Sequence, residues 1–355
     1  MTDALGLEGE YPEQELPLLI RRAGMVEWHD GAVSILDRRR LPEEETFLVC
    51  TTTVEVAEAI EAMVIQGAFS IAIAAGYGLA LTKGEEPAAF YVAADRLRKT
   101  RPTGLALNRM MAVCVKVVED AAASGLNITS ELLNTVNDAA QCLARQGWRT
   151  GMRAADMLPE DGGVLTHCFP DRSYAYMLVA LRRSGKNIRV FCSETRPYLQ
   201  GARLSALCGQ QMGFETRVIT DGMGGWLMHQ GEVNAFITAA DRVCMDGTVC
   251  NKIGTYQYAL AAKANNVPYY ALRQSGPDRE SASGSEVTIE YRDGEELVNW
   301  QNRRIAPAGV SGHYPAFDLT PPELVSAIVT DRGVFAPDAM DSYLAAPPFV
   351  ENAIL

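Results

Sequence analysis

The groups best able to move protons in this sequence stand where short apolar runs end. Cys168 follows Val164–His167, Glu194-Thr195-Arg196 follow Ile188–Cys192, Asp221 follows Thr216–Thr220, and Asp241-Arg242 follow Ala235–Thr238. If those runs are parallel strands, their carboxyl ends face the edge of the sheet where open α/β folds bind ligands. That edge would carry a thiol, three carboxylates and two guanidiniums, which is the equipment of an acid/base site.

Each group also has a plainer role. A thiol such as Cys168 is often a small buried hydrophobe, although its setting, between His167 and the irregular Phe169-Pro170-Asp171, aims a side chain rather than packing it. Asp241 and Arg242 could form a structural ion pair, and Asp221 could cap a helix starting at Met223. The sequence contains no G-x-G-x-x-G after a strand, no G-x-x-x-x-G-K-[ST], no H-E-x-x-H and no G-x-S-x-G. Four histidines supply a metal centre or a triad poorly. The expectation is therefore a chain without metal or cofactor, either an acid/base enzyme or a binding protein.

The elements that would position these groups change character along the chain. From Thr53 to Ile65 the residues Val56, Ile60, Met63 and Val64 mark one face of an amphipathic helix ended by Gly67. Ser70 to Leu81 is apolar all round, as in a helix buried at close approach. Further helices are predicted over Leu107–Ala123 and Ser130–Gln146. Beyond Gly147, short apolar runs alternate with helical segments near Tyr174–Arg183, Gln200–Met212, Met223–Gln230 and Tyr256–Asn265, with a last strand at Pro268–Leu272. That alternation signals βαβ units. The expected class is α/β, with a mostly helical N-terminal domain (1–146) followed by a Rossmann-like parallel-sheet domain (147–355). The Ser-, Gly- and charge-rich stretch Gln274 to Glu286 is expected to be a surface loop able to cover a site.

Composition narrows the partners. The 355 residues are 48% hydrophobic and 21% charged, an ordinary globular balance that excludes disorder and low complexity. A formal charge of −12 leaves no broad basic face for nucleic acid or an anionic membrane. The longest apolar run is too short to span a bilayer, and the acidic Met1 to Gln14 does not read as a signal peptide, so a cytoplasmic protein is expected. Eight cysteines without C-x-x-C spacing read as mostly buried free thiols.

Longer motifs identify a family. Glu194-Thr195-Arg196-Pro197-Tyr198-Leu199-Gln200-Gly201-Ala202-Arg203-Leu204, Ala240-Asp241-Arg242-Val243 and Asn251-Lys252-Ile253-Gly254-Thr255-Tyr256 strongly resemble the 5-methylthioribose-1-phosphate isomerases. The similarity continues through Arg304 to Val310, Pro315 to Pro321 and Gly333-Val334-Phe335, and begins with Leu36-Asp37-Arg38 and Leu41-Pro42. The wider superfamily holds ribose-1,5-bisphosphate isomerases and the regulatory subunits of the eukaryotic translation-initiation guanine nucleotide exchange factor. The resemblance implies an acid/base pair at Cys168 and Asp241, which the non-catalytic relatives are expected to lack. It places phosphate and sugar contacts on Gln66, Gly67, Ala68, Arg101, Gln200, Asn251 and Lys252, and implies a homodimer. Departures fall at Gln66 and Phe69, where the family carries arginine and proline, at Phe169-Pro170-Asp171, and at Ala106 and Arg109. They suggest altered substrate choice around a presumed pocket.

The implied reaction is aldose-to-ketose isomerisation of a sugar phosphorylated on its C1 hydroxyl. The C1 phosphate blocks the free aldehyde, so the ring must open with the phosphate attached before hydrogen moves from C2 to C1. An apolar wall would raise the carboxyl pKa of Asp241 and let it act as an acid, and Cys168 as a thiolate would act as a base. The alternatives are a ribose-1,5-bisphosphate isomerase, with Arg109 or Arg172 meeting a second phosphate, and a non-catalytic sugar-phosphate or nucleotide sensor.

Overall fold

The computed structural model describes residues 15–21, 25–84 and 86–347; the acidic segment Met1 to Gln14 lies outside them. Its elements are β1 (Val26–His29), β2 (Ala32–Leu36), β3 (Phe47–Cys50), α1 (Thr53–Glu61), α2 (Ala68–Ala80), α3 (Pro87–Arg98), α4 (Leu105–Ser124) and α5 (Ile128–Asp156). There follow β4 (Asp161–Thr166), α6 (Asp171–Ser184), β5 (Asn187–Ser193), α7 (Ala206–Gln211), β6 (Thr216–Ile219), α8 (Gly224–His229) and β7 (Ala235–Ala239). Then come β8 (Arg242–Val243), β9 (Val249–Lys252), α9 (Thr255–Ala264), β10 (Tyr269–Leu272), β11 (Tyr291–Arg292) and α10 (Glu295–Val298). The last described elements are β12 (Asn299–Trp300), β13 (Arg303–Arg304), β14 (Tyr314–Pro315), β15 (Phe317–Thr320), β16 (Ala327–Val329), β17 (Val334–Phe335) and α11 (Met340–Ala345). The class is α/β, and the described residues fall into two compact units, 15–146 and 147–347.

In the first unit, α1 starts at a capping box: Thr52 accepts from the Glu55 amide while the Glu55 side chain takes the Thr52 amide. Its buried face is Val56, Ala57 and Ile60. The helix stops at Glu61, short of the expected Ile65, and Gly67 does not end it. Gly67 instead stands at φ 91 immediately before α2. Helix α2 is buried as expected; a Cβ on Gly76 would lie 2.6 Å from Val136 Cγ2, so only glycine admits that approach. The antiparallel sheet β1-β2-β3 and α3 are additions to the mostly helical reading. Helix α5 runs beyond Gln146 because its apolar spacing continues through Trp148, Met152 and Ala155, and its two glycines, Gly147 and Gly151, cost only about 1 kcal/mol each.

The second unit is built on a seven-stranded sheet of order β17-β16-β10-β7-β4-β5-β6. Every pairing in it is parallel except β16 with the edge strand β17. The expected strands all appear, with ends shifted by at most three residues. The helix expected over Gln200–Met212 instead opens with a π turn at Gly201–Ser205. A Cβ on Gly201 would lie 1.6 Å from the Ser193 carbonyl oxygen, so that turn sits directly against β5. Residues 274–286 form a loop as expected, with Arg279, Glu280, Ala282, Ser285 and Glu286 exposed, but Gln274, Asp278 and Ser281 turn into the protein and are buried. All eight cysteines are free, six of them buried. Among the described residues no helix is long and apolar enough to cross a membrane.

Candidate active site

The strand ends of the second unit hold a cluster of left-handed backbone. Cys168 (φ 62) and Asp171 (φ 58) follow β4, and Thr195 (φ 63) and Leu199 (φ 65) follow β5. Non-glycine residues there cost of order 1 kcal/mol or more and persist only where the surroundings fix them. Here hydrogen bonds do so. The Cys168 N–H donates to Thr195 Oγ1 at 2.9 Å, and the Cys168 carbonyl accepts from Ser205 Oγ at 2.5 Å. Asp221 Oδ1 accepts from the Thr195 amide and Oδ2 from the Arg196 amide, each at 2.8 Å. Ser193 Oγ also donates to Asp221 Oδ1. Asp221 is therefore not the cap of α8; the residue preceding that helix is Met223.

Asp241 lies between β7 and β8. Arg242 donates to Ser281 Oγ at 3.0 Å rather than pairing with Asp241, and the buried ion pair close by is Arg273 with Asp278. Asp241 keeps an exposed surface, yet protein surrounds it, and that desolvation raises its carboxyl pKa against the pull of Lys252, Arg273 and Arg292. Burial likewise pushes the Cys168 thiol up to about 11, with Lys252 pulling it down and Asp241 pushing it up. Burial therefore favours the protonated thiol over the thiolate at neutral pH, the desolvation cost exceeding what one neighbouring ammonium returns.

Lys252 ends β9, is buried, and holds its Nζ 4.7 Å from the centroid of the Phe317 ring. Burial lowers its pKa, while Cys168 and Asp241 raise it. Asn251 donates to Thr255 Oγ1 at 2.9 Å, and that hydroxyl donates to the Lys252 carbonyl at 2.7 Å. Gln200 is buried and immediately precedes the π turn. Cys168, Asp241 and Lys252 thus share one electrostatic neighbourhood; Asn251 adjoins Lys252 in sequence, and Gln200 stands apart from it in sequence, before the π turn that follows β5.

Three members of this neighbourhood are absent from the sequence reading. Arg292 on β11 donates Nε to Glu290 at 2.7 Å and lies 5.8 Å from the Phe317 centroid, so two cations share that ring. Burial opposes its charge and Glu290 sustains it. Tyr314 on β14 pairs with Arg292 across the β11–β14 ladder. The alternating run Val287 to Arg292 is the signal that could have pointed to Glu290 and Arg292. Among the described residues no group of three or more His, Cys, Asp or Glu is placed to hold a metal ion.

The remaining sequence-predicted contacts lie in the first unit. Gln66 is buried, its carbonyl accepts from Arg38 Nη1 at 2.9 Å, and Nε2 donates to the Met63 carbonyl at 3.4 Å. Gly67 and Ala68 follow at the start of α2. Arg101 donates Nη2 to the Ile60 carbonyl at 3.0 Å and touches the Met63 sulfur, so Met63 joins Arg101 to Gln66. Of the departures, Ala106 is buried in the core of this unit, and Asp171 opens α6.

Comparison with known proteins agrees with this architecture. The model of the Initiation factor 2 subunit family matches residues 61–337. The methylthioribose-1-phosphate isomerase of Anaeromyxobacter sp. (strain Fw109-5) is 41% identical over 319 residues, covering 86% of this chain and 93% of that protein. The crystal structure of 5-methylthioribose 1-phosphate isomerase from Pyrococcus horikoshii OT3 aligns at a TM-score of 0.83 and 33% identity, over 95% of this chain and 98% of that one. Translation initiation factor eIF-2B, subunit delta, from A. fulgidus aligns at 0.75 and 32% identity, over 90% and 97%. On identity and coverage of this extent the chain belongs to the Initiation factor 2 subunit family, and within it to the methylthioribose-1-phosphate isomerase family.

Proposed function

We propose that the protein is an aldose–ketose isomerase that converts 5-methylthioribose 1-phosphate, or a closely related 5-substituted ribose 1-phosphate, to the ribulose 1-phosphate. The observation that carries the reading is that Cys168 and Asp241 follow β4 and β7, strands paired side by side in parallel, and that the buried Lys252 acts electrostatically on both. Curated relatives at about 40% identity carrying that name support it.

The chemistry needs a net redistribution of hydrogen. The ring oxygen gains a proton as its bond to C1 breaks, C1 gains the hydrogen that C2 loses, and the C2 hydroxyl gives up its proton as the ketone forms. Asp241, holding a proton closer to neutral pH than an ordinary carboxyl, opens the ring and takes back the C2 hydroxyl proton. Cys168 serves the C2 centre, and Lys252 stabilises whichever of the two groups is anionic. The family resemblance supports phosphate and sugar contacts at Gln66, Gly67, Ala68, Arg101, Gln200, Asn251 and Lys252, with Arg101 meeting the phosphate through its paired donors and Lys252 adding a charge. The family resemblance further supports a cytoplasmic homodimer, and molar mass in solution by light scattering checks the dimer.

The test is proton NMR of the purified protein with 5-methylthioribose 1-phosphate, 5-deoxyribose 1-phosphate and ribose 1,5-bisphosphate, repeated with Cys168→Ser. Ketose from the first substrate, reduced by orders of magnitude in a folded variant, is expected. Turnover of the bisphosphate alone would reassign the substrate, binding without turnover would indicate a sensor, and a fully active Cys168→Ser would remove the thiol from the mechanism.

A further inference from the structure

The candidate thiol is attached to an unusually determined piece of backbone, and one carboxylate holds it from the next strand but one. Cys168 adopts φ 62, and the acceptor that fixes its amide is the Thr195 hydroxyl. Thr195 is itself left-handed at φ 63. Its hydroxyl also lies 3.0 Å from the Ser193 carbonyl, to which it donates. What keeps the segment Ser193 to Arg196 in this shape is Asp221, whose two oxygens take the Thr195 amide, the Arg196 amide and the Ser193 hydroxyl. The Asp221 backbone is held in turn, since its carbonyl accepts from Tyr258 Oη at 2.7 Å and Gln257 Nε2 at 3.0 Å.

The same network reaches the other side of the site. His167, adjoining Cys168, lies 3.1 Å from Ser193 Oγ through Nδ1 and 2.8 Å from the Ile253 carbonyl through Nε2. Ile253 directly follows Lys252. Because a carbonyl only accepts, Nε2 carries the proton. Hydrogen bonds through Cys168, Thr195 and Asp221 therefore join the ends of β4, β5 and β6, and His167 separately ties the end of β4 to the residue after β9.

We propose that Asp221 is a positioning residue for Cys168, acting through the Thr195 hydroxyl that receives the Cys168 amide. The proposal rests on the reading of Cys168 as a reacting group. In Asp221→Asn the amide keeps one acceptor oxygen but sets an NH2 donor against a backbone N–H that the second carboxylate oxygen had accepted, so the Thr195 turn relaxes and Cys168 leaves its left-handed setting. A displacement of about 1 Å at a reacting group costs on the order of 100-fold in rate. Asp221 itself need not touch substrate.

The experiment compares the full-length chain with Asp221→Asn, Thr195→Val and Thr195→Ser. The readouts are kcat and KM by NMR and, independently of turnover, the pH profile of Cys168 alkylation by iodoacetamide followed on its own peptide. The expected result is a kcat loss of about 100-fold in Asp221→Asn and Thr195→Val with KM held. Thr195→Ser, which keeps the hydroxyl, recovers most of that loss. The alkylation profile moves in the first two variants and returns in the third. Wild-type kcat in folded Thr195→Val, or Thr195→Ser failing as badly as Thr195→Val, overturns the proposal. If Asp221→Asn does not fold, the two Thr195 variants decide. If Cys168→Ser keeps full turnover, it is the reading of Cys168 that fails, and positioning is then judged on the alkylation profile alone.

Discussion

Arg273 grips both oxygens of Asp278 with Nη2, at 2.8 and 3.0 Å, and both side chains are buried. Arg273 also donates Nη1 to the Ala240 carbonyl at 3.2 Å, and Asp278 takes the Val243 amide at 3.2 Å. The pair thus clamps the backbone on both sides of Asp241. Removing one partner of a buried pair leaves a charge that water cannot reach, at a cost of about 3–5 kcal/mol. Asp278→Ala is expected to destabilise the second unit by that amount, read from urea unfolding; a loss under about 1 kcal/mol would show that the clamp carries little.

Lys252 lowers the pKa of both Cys168 and Asp241. Its removal in Lys252→Met therefore raises both, and the kcat profile is expected to move to higher pH by about one to two units. A profile that shrinks in height without moving would place Lys252 in binding only.

Two buried groups oppose each other in acid stability. Burial raises the Asp318 carboxyl from its ordinary 3.8 to about 6, so its contribution is whole below 3.8 and is lost as pH climbs through 6. Burial lowers His167 from 6.5 to about 4, so its contribution is whole above 6.5 and is lost as pH falls toward 4. Across the shared window the slopes oppose. Asp318→Asn removes one of them and is expected to lose stability on acidification more steeply than the parent. Equal slopes in denaturant titrations at a series of pH values would contradict this.

Arg101→Leu tests the phosphate reading. A charge-assisted hydrogen bond contributes about 1.5–3 kcal/mol, so KM should rise by at least about tenfold. The lost bond to the Ile60 carbonyl should cost stability only modestly. An unchanged KM would take Arg101 out of the site.

The legible part of this protein was the part with local signals. Each parallel strand of the second unit is a short apolar run followed by a polar group, and Cys168, Asp221 and Asp241 could be placed at strand ends for that reason. The sheet β1-β2-β3 was not legible: β3 exposes Phe47, Leu48 and Val49 in succession, so the alternation that marks a half-buried strand is missing. Arg292 and Tyr314 meet through two-residue strands, 22 positions apart in number, a pairing that no local pattern encodes. The role of Asp221 was equally hidden, because a carboxylate before a helix reads as a cap until the amides that it accepts are seen.

Cys168 follows β4, and β4 lies inside the sheet with β5 on one side and β7 on the other. Backbone amides in such a strand exchange with solvent only when the unit opens as a whole. The candidate thiol therefore hangs from the slowest-exchanging part of its unit, and local fraying cannot carry it away. Chemistry mounted there should persist until global unfolding, so heat should abolish turnover and sheet protection together rather than one before the other.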